Sequence, residues 1–244
     1  MVRSLAPRAG ILLAAALVVL ASCGLIRSTP GAAKSAPPAA PLEPEPKSAE
    51  EFHRRALARM AKADIEGAIS DLGRAIALSP DDAELYAARG TAREQSFDFD
   101  AALADYDRAV ALDPALGKIR HRRGLIYRTR ARYAEAIADL SEAIRLLPQD
   151  PVLRLDRGIV HANRGDHEEA IADYSEAIRL RADFAPAYYD RGISREAAGD
   201  EKGAIADLEK AIALVKEADF REDAKQRLEK LRAPKAKRNR APDW

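Results

Sequence analysis

The sequence is poor in the residues from which disulfide frameworks and metal centres are built. It holds one cysteine and four histidines in 244 residues. A single cysteine excludes an intramolecular disulfide and any zinc site with more than one thiolate ligand. The charges also nearly cancel, with 40 Lys and Arg against 39 Asp and Glu. A net charge of +1 argues against a surface built as a whole to bind nucleic acid.

Short motifs typical of catalysts are missing too. The chain contains no HExxH, CxxC or GxSxG motif and no phosphate-binding loop. His161 and His167 are six residues apart across a helix turn, so they do not share one helical face. The sequence therefore predicts a protein that is not an enzyme, with no metal and no cofactor.

The N-terminus has the pattern of an export signal. Arg3 and Arg8 precede an apolar run over residues 11–21, which is followed by Ser22 and Cys23. A basic start, a short apolar core and small residues before a cleavage point describe a secretory signal. The apolar run is shorter than the roughly 20 residues of a membrane-spanning helix. The alternatives are an ordinary signal peptide with an incidental cysteine, or a single-pass anchor.

Leu20-Ala21-Ser22-Cys23 resembles the lipobox of bacterial lipoproteins. The resemblance implies that residues 1–22 are removed and that Cys23 carries a thioether-linked diacylglyceride and an acylated (palmitoylated) amine. Two or more acyl chains hold a protein stably on a bilayer. Gly24, in place of an aspartate, favours the periplasmic face of the outer membrane in that family, with the inner membrane as the alternative.

Residues 23–48 are expected to form a tether. Six of the chain's 14 prolines fall in this segment, mixed with alanine, serine and glutamate. Such a composition is typical of an extended, semi-rigid spacer without a core of its own.

The remainder of the chain repeats with a period of 34 residues. Small residues recur in that register in three series: Gly90, Gly124, Gly158 and Gly192; Ala68, Ala102, Ala136, Ala170 and Ala204; Ala75, Ala109, Ala143, Ala177 and Ala211. Prolines close the first three units at Pro80, Pro114 and Pro148. A fixed period of this size predicts a helical solenoid.

Each unit is predicted to contain two helices, over about 83–95 and 100–112 in the second unit. Proline ends the second helix because it lacks the amide donor. Gly165-Asp166 and Gly199-Asp200 are predicted to supply a left-handed turn residue and a helix N-cap. Larger residues are predicted to fill the space between the small ones: Leu72, Tyr106, Leu140, Tyr174 and Leu208.

This pattern resembles the tetratricopeptide repeat family. The resemblance implies an all-α, right-handed solenoid of five helix pairs, with a concave groove lined by the first helix of each pair. The units, numbered one to five, are 49–82, 83–116, 117–150, 151–184 and 185–218. Residues 219–232 are predicted to form a capping helix, with Phe220, Leu228 and Leu231 inward, and residues 233–244 a disordered basic tail.

Every unit also carries a matched pair of opposite charges. Arginine holds the seventh position, as Arg55, Arg89, Arg123, Arg157 and Arg191. Aspartate holds the twenty-third, as Asp71, Asp105, Asp139, Asp173 and Asp207. Because the guanidinium fork can bind a carboxylate bidentately, these residues predict a structural ladder of ion pairs, within units or between neighbours. The alternative is a set of ordinary solvated charges.

The predicted partner-binding site is the groove. Its candidate residues are Lys118, His121, Arg122, Leu125, Arg128, Leu155, Ile159, Tyr189 and Ile193. Residues 118–132 hold seven Lys or Arg and no acid. A basic centre beside an apolar stretch suits a peptide that carries a carboxylate and aliphatic anchors. The alternative is that these arginines pair with the acids of unit two.

The predicted function is therefore a membrane-anchored, non-catalytic scaffold or adaptor for other proteins of the bacterial cell envelope. An assembly or secretion factor for outer-membrane or exported proteins is the second hypothesis. An enzyme or carrier that acts on cell-wall material is the third, and the scarcity of aromatics and clustered carboxylates in the groove disfavours it.

Overall fold

A computed structural model of the protein describes residues 45–215 and 218–233. The predicted signal segment, Cys23, most of the tether and nearly all of the basic tail lie outside these residues. The described residues form eleven α-helices and no strand, which confirms the all-α solenoid. The helices are α1 Ala49–Ala61, α2 Ile65–Leu78, α3 Ala83–Gln95, α4 Phe99–Leu112, α5 Gly117–Thr129, α6 Tyr133–Leu146, α7 Pro151–Arg164, α8 His167–Leu180, α9 Ala185–Ala197, α10 Glu201–Leu214 and α11 Ala218–Arg232.

Local signals in the sequence account for the helix ends. Ser48 begins the series with a capping box, in which its hydroxyl accepts from the Glu51 amide and the Glu51 carboxylate accepts from the Ser48 amide. These bonds satisfy amides that have no partner inside the helix. Prolines at positions 80, 114 and 148 follow the ends of α2, α4 and α6 by two residues.

The turn inside each unit needs one residue in the left-handed region. Gly165 (φ 95°) and Gly199 (φ 88°) supply it in units four and five, as predicted. Asp200 then caps α10 by accepting from the Gly203 amide. Asp166 is the N-cap residue of α8, as predicted, but its carboxylate pairs with the Arg164 guanidinium and makes no side-chain cap.

The core is built from the repeated small residues and the large ones that fill the space between them. All ten alanines of the two predicted series are fully buried, and the five large residues are 0–1% exposed. The two helices of a unit approach each other most closely at the glycines of units two and four. A methyl group at Gly90 would lie 2.6 Å from Tyr106 Cε1, and one at Gly158 the same distance from Tyr174 Cε1. Glycine is therefore required there by space.

Helix α11 closes the last unit. Leu228 and Leu231 are 7% and 2% exposed and pack with Ala204 and Leu208 of α10. Phe220, predicted to point inward with them, is partly exposed, and its ring lies 5.0 Å from that of Tyr189. Within the described part of the chain, no helix is both long and apolar enough to cross a bilayer.

Candidate functional site

The predicted arginines and aspartates meet within each unit. Nε and Nη2 of every arginine donate to the two carboxylate oxygens of its own aspartate, over 2.6–2.9 Å. The five aspartates are only 1–5% exposed. Hydrogen bonding to the aspartate raises the pKa of Arg89 and of Arg157, which favours the charged form of each guanidinium group. We call these five bidentate pairs the ladder.

A second cation strengthens the ladder in three units. Arg59, Arg93 and Arg195, at the eleventh position, approach the same aspartates with Nη1 at 2.8–3.1 Å. In unit four this position is His161, whose Nε2 lies 3.9 Å from Asp173 Oδ2. Unit three has Tyr127 there. Asp105 is thus held by two guanidinium groups, whereas Asp173 is held by one.

The ladder also joins successive units. In three of the ladder arginines, Nη1 donates back to the twenty-fifth residue of the preceding unit. Arg123 donates there to Asp107 over 2.8 Å, and Arg157 and Arg191 donate to Ser141 and Ser175 over 2.9 Å. One side chain therefore fixes the two helices of its own unit and the junction behind it.

The predicted groove residues lie on three of the first helices, α5, α7 and α9. We call the face that these helices share with α1 and α3 the inner face. Arg122 of α5 donates to Glu94 of α3 over 3.0 Å, and Glu94 also accepts from the Tyr106 hydroxyl over 2.6 Å. Arg123 and Arg130 likewise reach acids of unit two, Asp107 and Asp100. Three of the seven Lys and Arg in residues 118–132 thus pair with acids of unit two, which supports in part the alternative of pairing across that boundary.

The other predicted basic residues pair in the opposite direction. His121 Nε2 lies 2.6 Å from Asp156 Oδ2, and Arg128 Nη1 lies 3.6 Å from Asp156 Oδ1. Both contacts link α5 to α7. Lys118 differs, because it is exposed and forms no ion pair with any described residue. It is the predicted basic residue that is most available to a partner.

The predicted apolar stretch is divided between the core and the surface. Leu155 is 9% exposed and belongs to a cluster around Tyr174 and Phe184, so it is core rather than groove floor. Leu125, Ile159 and Ile193 are partly exposed. Tyr189 packs against Phe220 and donates to Asp223, so the capping helix covers part of its ring.

Asp190 of α9 is an inner-face residue that the site prediction omitted. It forms no hydrogen bond or ion pair with the described residues. Burial raises its pKa to about 6; the Asp156 charge adds to this effect and the Arg128 charge opposes it. Asp190 differs from Glu94 and Asp156 of the same face, which are both paired. The sequence carries a signal of this difference. The residue 28 positions before Arg122 is Glu94, and the one 28 positions before Asp156 is Arg128, so each has the opposite charge. The residue 28 positions before Asp190 is Ala162, which has none.

A metal centre finds no support among these side chains. Within the described ranges, no group of three or more His, Cys, Asp or Glu could hold a metal ion. What the inner face offers is a row of charged, polar and aliphatic side chains on parallel helices. Such a surface suits the binding of an extended or helical peptide.

Comparison with known proteins identifies the repeat. A family profile described as "Tetratricopeptide repeat" matches residues 53–117 and 88–151, and one described as "TPR repeat" matches residues 161–199. No curated protein matches the sequence at a significant level.

Solved structures match the fold at low sequence identity. MamA is 22% identical, with a TM-score of 0.66 over 68% of this chain and 91% of MamA. YrrB, described as "a TPR protein with an unusual peptide-binding site", is 20% identical, with a TM-score of 0.66 over 73% of this chain and 92% of its own. PilW, a "widely conserved type IV pilus biogenesis factor", is 19% identical, with a TM-score of 0.61 over 75% of this chain and 90% of its own. At these identities the similarity shows a common fold.

Proposed function

Because the chain belongs to the tetratricopeptide repeat family over residues 53–151 and 161–199, we propose that it is a non-catalytic scaffold that binds protein partners on its inner face. We further propose that a lipid on Cys23 anchors it in the bacterial cell envelope, at the periplasmic face of the outer membrane. The tether would hold the solenoid away from the bilayer.

One observation carries the binding proposal. Ion pairs join the first helices from α3 to α5 and from α5 to α7. On the inner face Lys118 is exposed without an ion pair, and Leu125 of α5 and Ile159 of α7 are partly exposed. A fixed surface with a free cation and aliphatic side chains can bind a peptide at a low cost in conformational entropy.

The binding proposal is tested by Lys118→Glu. The lipidated full chain is purified from envelopes, and the recovered proteins are compared between the variant and the wild type. We expect the loss of at least one specific partner, since the variant reverses the free charge on the inner face. Changing Arg122 or Arg128 is less informative, because each is held in an ion pair that the substitution would break.

Lys62→Glu is the matched control. Lys62 is exposed at the end of α1, away from the candidate groove residues, and its substitution makes the same change in charge. We expect it to recover the wild-type partners. Identical recovery by Lys118→Glu, Lys62→Glu and the wild type would contradict a role for the basic centre of the inner face.

The lipid anchor is tested by Cys23→Ala. We expect the variant to appear in the soluble fraction and to lose labelling by a fatty acid, whereas the wild type stays with membranes. Separation of inner and outer membranes on a density gradient then reports which membrane holds the wild type. Retention of Cys23→Ala on membranes would contradict the anchor.

A further inference from the structure

The junctions between units follow a rule on the inner face. The twelfth residue of one unit stands opposite the sixth residue of the next, 28 positions later. At the second junction these are Glu94 and Arg122, 3.0 Å apart. At the third they are Arg128 and Asp156, 3.6 Å apart. The sign of the pair is reversed, but each junction joins one arginine to one acid.

The two ends of the solenoid obey the same rule of compensation. At the first junction both residues are apolar, since Met60 and Ala88 pack against one buried cluster. After the last unit, Glu196 at the twelfth position of unit five pairs with Arg227 of the capping helix, 2.9 Å away. Four of the five junctions are therefore either ion-paired or apolar.

The fourth junction breaks the rule. Its residues are Ala162 and Asp190, so an acid stands opposite an alanine, which offers neither a charge nor a hydrogen-bond donor. Asp190 is partly exposed and forms no hydrogen bond or ion pair with the described residues. A carboxylate that is partly removed from water is stabilised by a cation or a hydrogen-bond donor.

The charged groups around Asp190 do not neutralise it. Asp156 carries a like charge and is already held by His121. Arg128 is the cation that acts on Asp190, and its effect is smaller than those of burial and Asp156. The Tyr174 hydroxyl is close enough that the Asp190 charge raises its pKa.

A buried hydroxyl nearby is also without a partner. Ser194 lies one helical turn after Asp190 on α9 and is 1% exposed. Its Oγ faces the Tyr174 hydroxyl but makes no hydrogen bond of standard geometry. Buried hydroxyl groups are normally hydrogen-bonded, so this group points to a polar ligand or ordered water that completes the site.

We propose that the fourth junction is a binding site for a guanidinium group, supplied by an arginine side chain of the partner peptide. The proposal rests on the proposed function and names the chemistry of its ligand. Ala162 is the smallest of the five residues at the twelfth position, which Glu94 and Arg128 hold in units two and three. Guanidinium fits best because it binds a carboxylate bidentately and is less strongly hydrated than ammonium.

This ligand differs from the acidic peptide that the basic centre predicts. Arg122 and Arg128 are engaged by acids of the same chain, and Lys118 is the free cation among those residues. Two charges therefore stay unpaired among the candidate groove residues and the junction residues: the Lys118 ammonium, and the Asp190 carboxylate between units four and five. A partner with an arginine at this end and an acidic group near Lys118 would satisfy both.

A direct test uses small probes with the full chain solubilised in detergent. Acetyl-arginine amide, acetyl-lysine amide and the neutral isostere acetyl-citrulline amide are titrated while the ¹³C resonance of the Asp190 carboxyl is recorded. We expect the arginine probe to shift this resonance and lower the pKa of Asp190, and to bind at least tenfold more tightly than citrulline. The affinity of the lysine probe is expected to lie between those of the arginine and citrulline probes. Equal binding of arginine and citrulline would overturn the proposal.

Two variants address the same site from both sides. Asp190→Asn should weaken binding of the arginine probe at least tenfold. Ala162→Arg should fill the junction from within the chain, raise the melting temperature and prevent probe binding. Met60→Arg is the matched control, because it places arginine at the first junction opposite Ala88 and should leave probe binding unchanged. If Ala162→Arg does not fold, Asp190→Asn decides the question alone.

Failure of this proposal can be told from failure of the proposed function. If Asp190→Asn binds the arginine probe and recovers envelope partners as the wild type does, while Lys118→Glu loses those partners, the arginine site is wrong and the scaffold stands. Loss of probe binding in Asp190→Asn supports the site, whichever partners Lys118→Glu recovers.

Discussion

Units two and four share one core and differ on the inner face. In both, a glycine at the eighth position admits a tyrosine ring, and an arginine binds a buried aspartate bidentately. On the inner face, Tyr106 of unit two donates to Glu94, which also binds Arg122. The Tyr174 hydroxyl of unit four faces Ser194 instead, and burial and the Asp190 charge raise its pKa. The repeat conserves what holds the helices together and varies what faces a partner.

The ladder gives the largest expected difference between the two units. Asp105→Ala should lower the free energy of unfolding by about 4 kcal/mol, because it leaves Arg89 and Arg93 partly buried without a counter-charge. Asp173→Ala removes the partner of one arginine and should cost about 3 kcal/mol. Urea unfolding followed by circular dichroism measures both. Losses below about 1 kcal/mol at both sites, or no coupling in an Arg157–Asp173 double-mutant cycle, would contradict the structural ladder.

The shared core is expected to respond equally in the two units. Gly90→Ala and Gly158→Ala each place a methyl group 2.6 Å from a tyrosine ring. Each should lower the melting temperature and cost about 2 kcal/mol through overpacking. Gly192→Ala is the control, since its methyl would lie 3.3 Å from the nearest atoms and helix propensity gains about 1 kcal/mol. A control as damaging as the other two would show that helix position, not the tyrosine, sets the effect.

Asp190 predicts a pH dependence that unit two lacks. Its pKa is about 6 in the folded protein against an ordinary 3.8, so the folded state binds more protons between these values. The free energy of unfolding should therefore fall by about 2 kcal/mol as the pH rises from about 4 to 6. Asp190→Asn, made with His121 and Asp156 kept as in the wild type, should remove this part of the dependence of the free energy of unfolding on pH. The same slope in both proteins would contradict the prediction.

The two tyrosine hydroxyls give the smallest expected difference. Tyr106→Phe should cost about 1 kcal/mol, because it removes the 2.6 Å hydrogen bond to Glu94. Tyr174→Phe should change the free energy of unfolding by less than about 0.5 kcal/mol, since the hydroxyl has no comparable acceptor. Thermal unfolding of both variants tests the comparison, and equal losses would argue against it.

The sequence predicts the core of this fold well, because the 34-residue period repeats the residues that meet. The buried alanines, Leu72 and Tyr106 all follow from register. The partner of each ladder arginine does not follow from register. Whether the arginine pairs within its unit or with a neighbouring unit depends on the axial offset between adjacent helices, and the 34-residue period does not determine that offset.

The candidate site was harder to predict, because its charges are set by contacts between units. Arg122 and Arg128 read as a free basic centre, yet each is paired with an acid 28 residues away on another first helix. Leu155 reads as groove floor, but its position turns it into the core. Asp190 could have been found by comparing residues 28 apart, since it alone among these junction acids faces alanine.

The backward contact of the ladder arginines has a consequence for how such a chain can change in length. Arg157 and Arg191 make the same pair of contacts, one with their own aspartate and one with a serine of the preceding unit. Duplication of a 34-residue segment between them would create a new interface identical to the existing ones. A chain built in this way can gain or lose a unit in one genetic step without a compensating substitution. The length of the solenoid can therefore change in evolution without a loss of stability at the junctions.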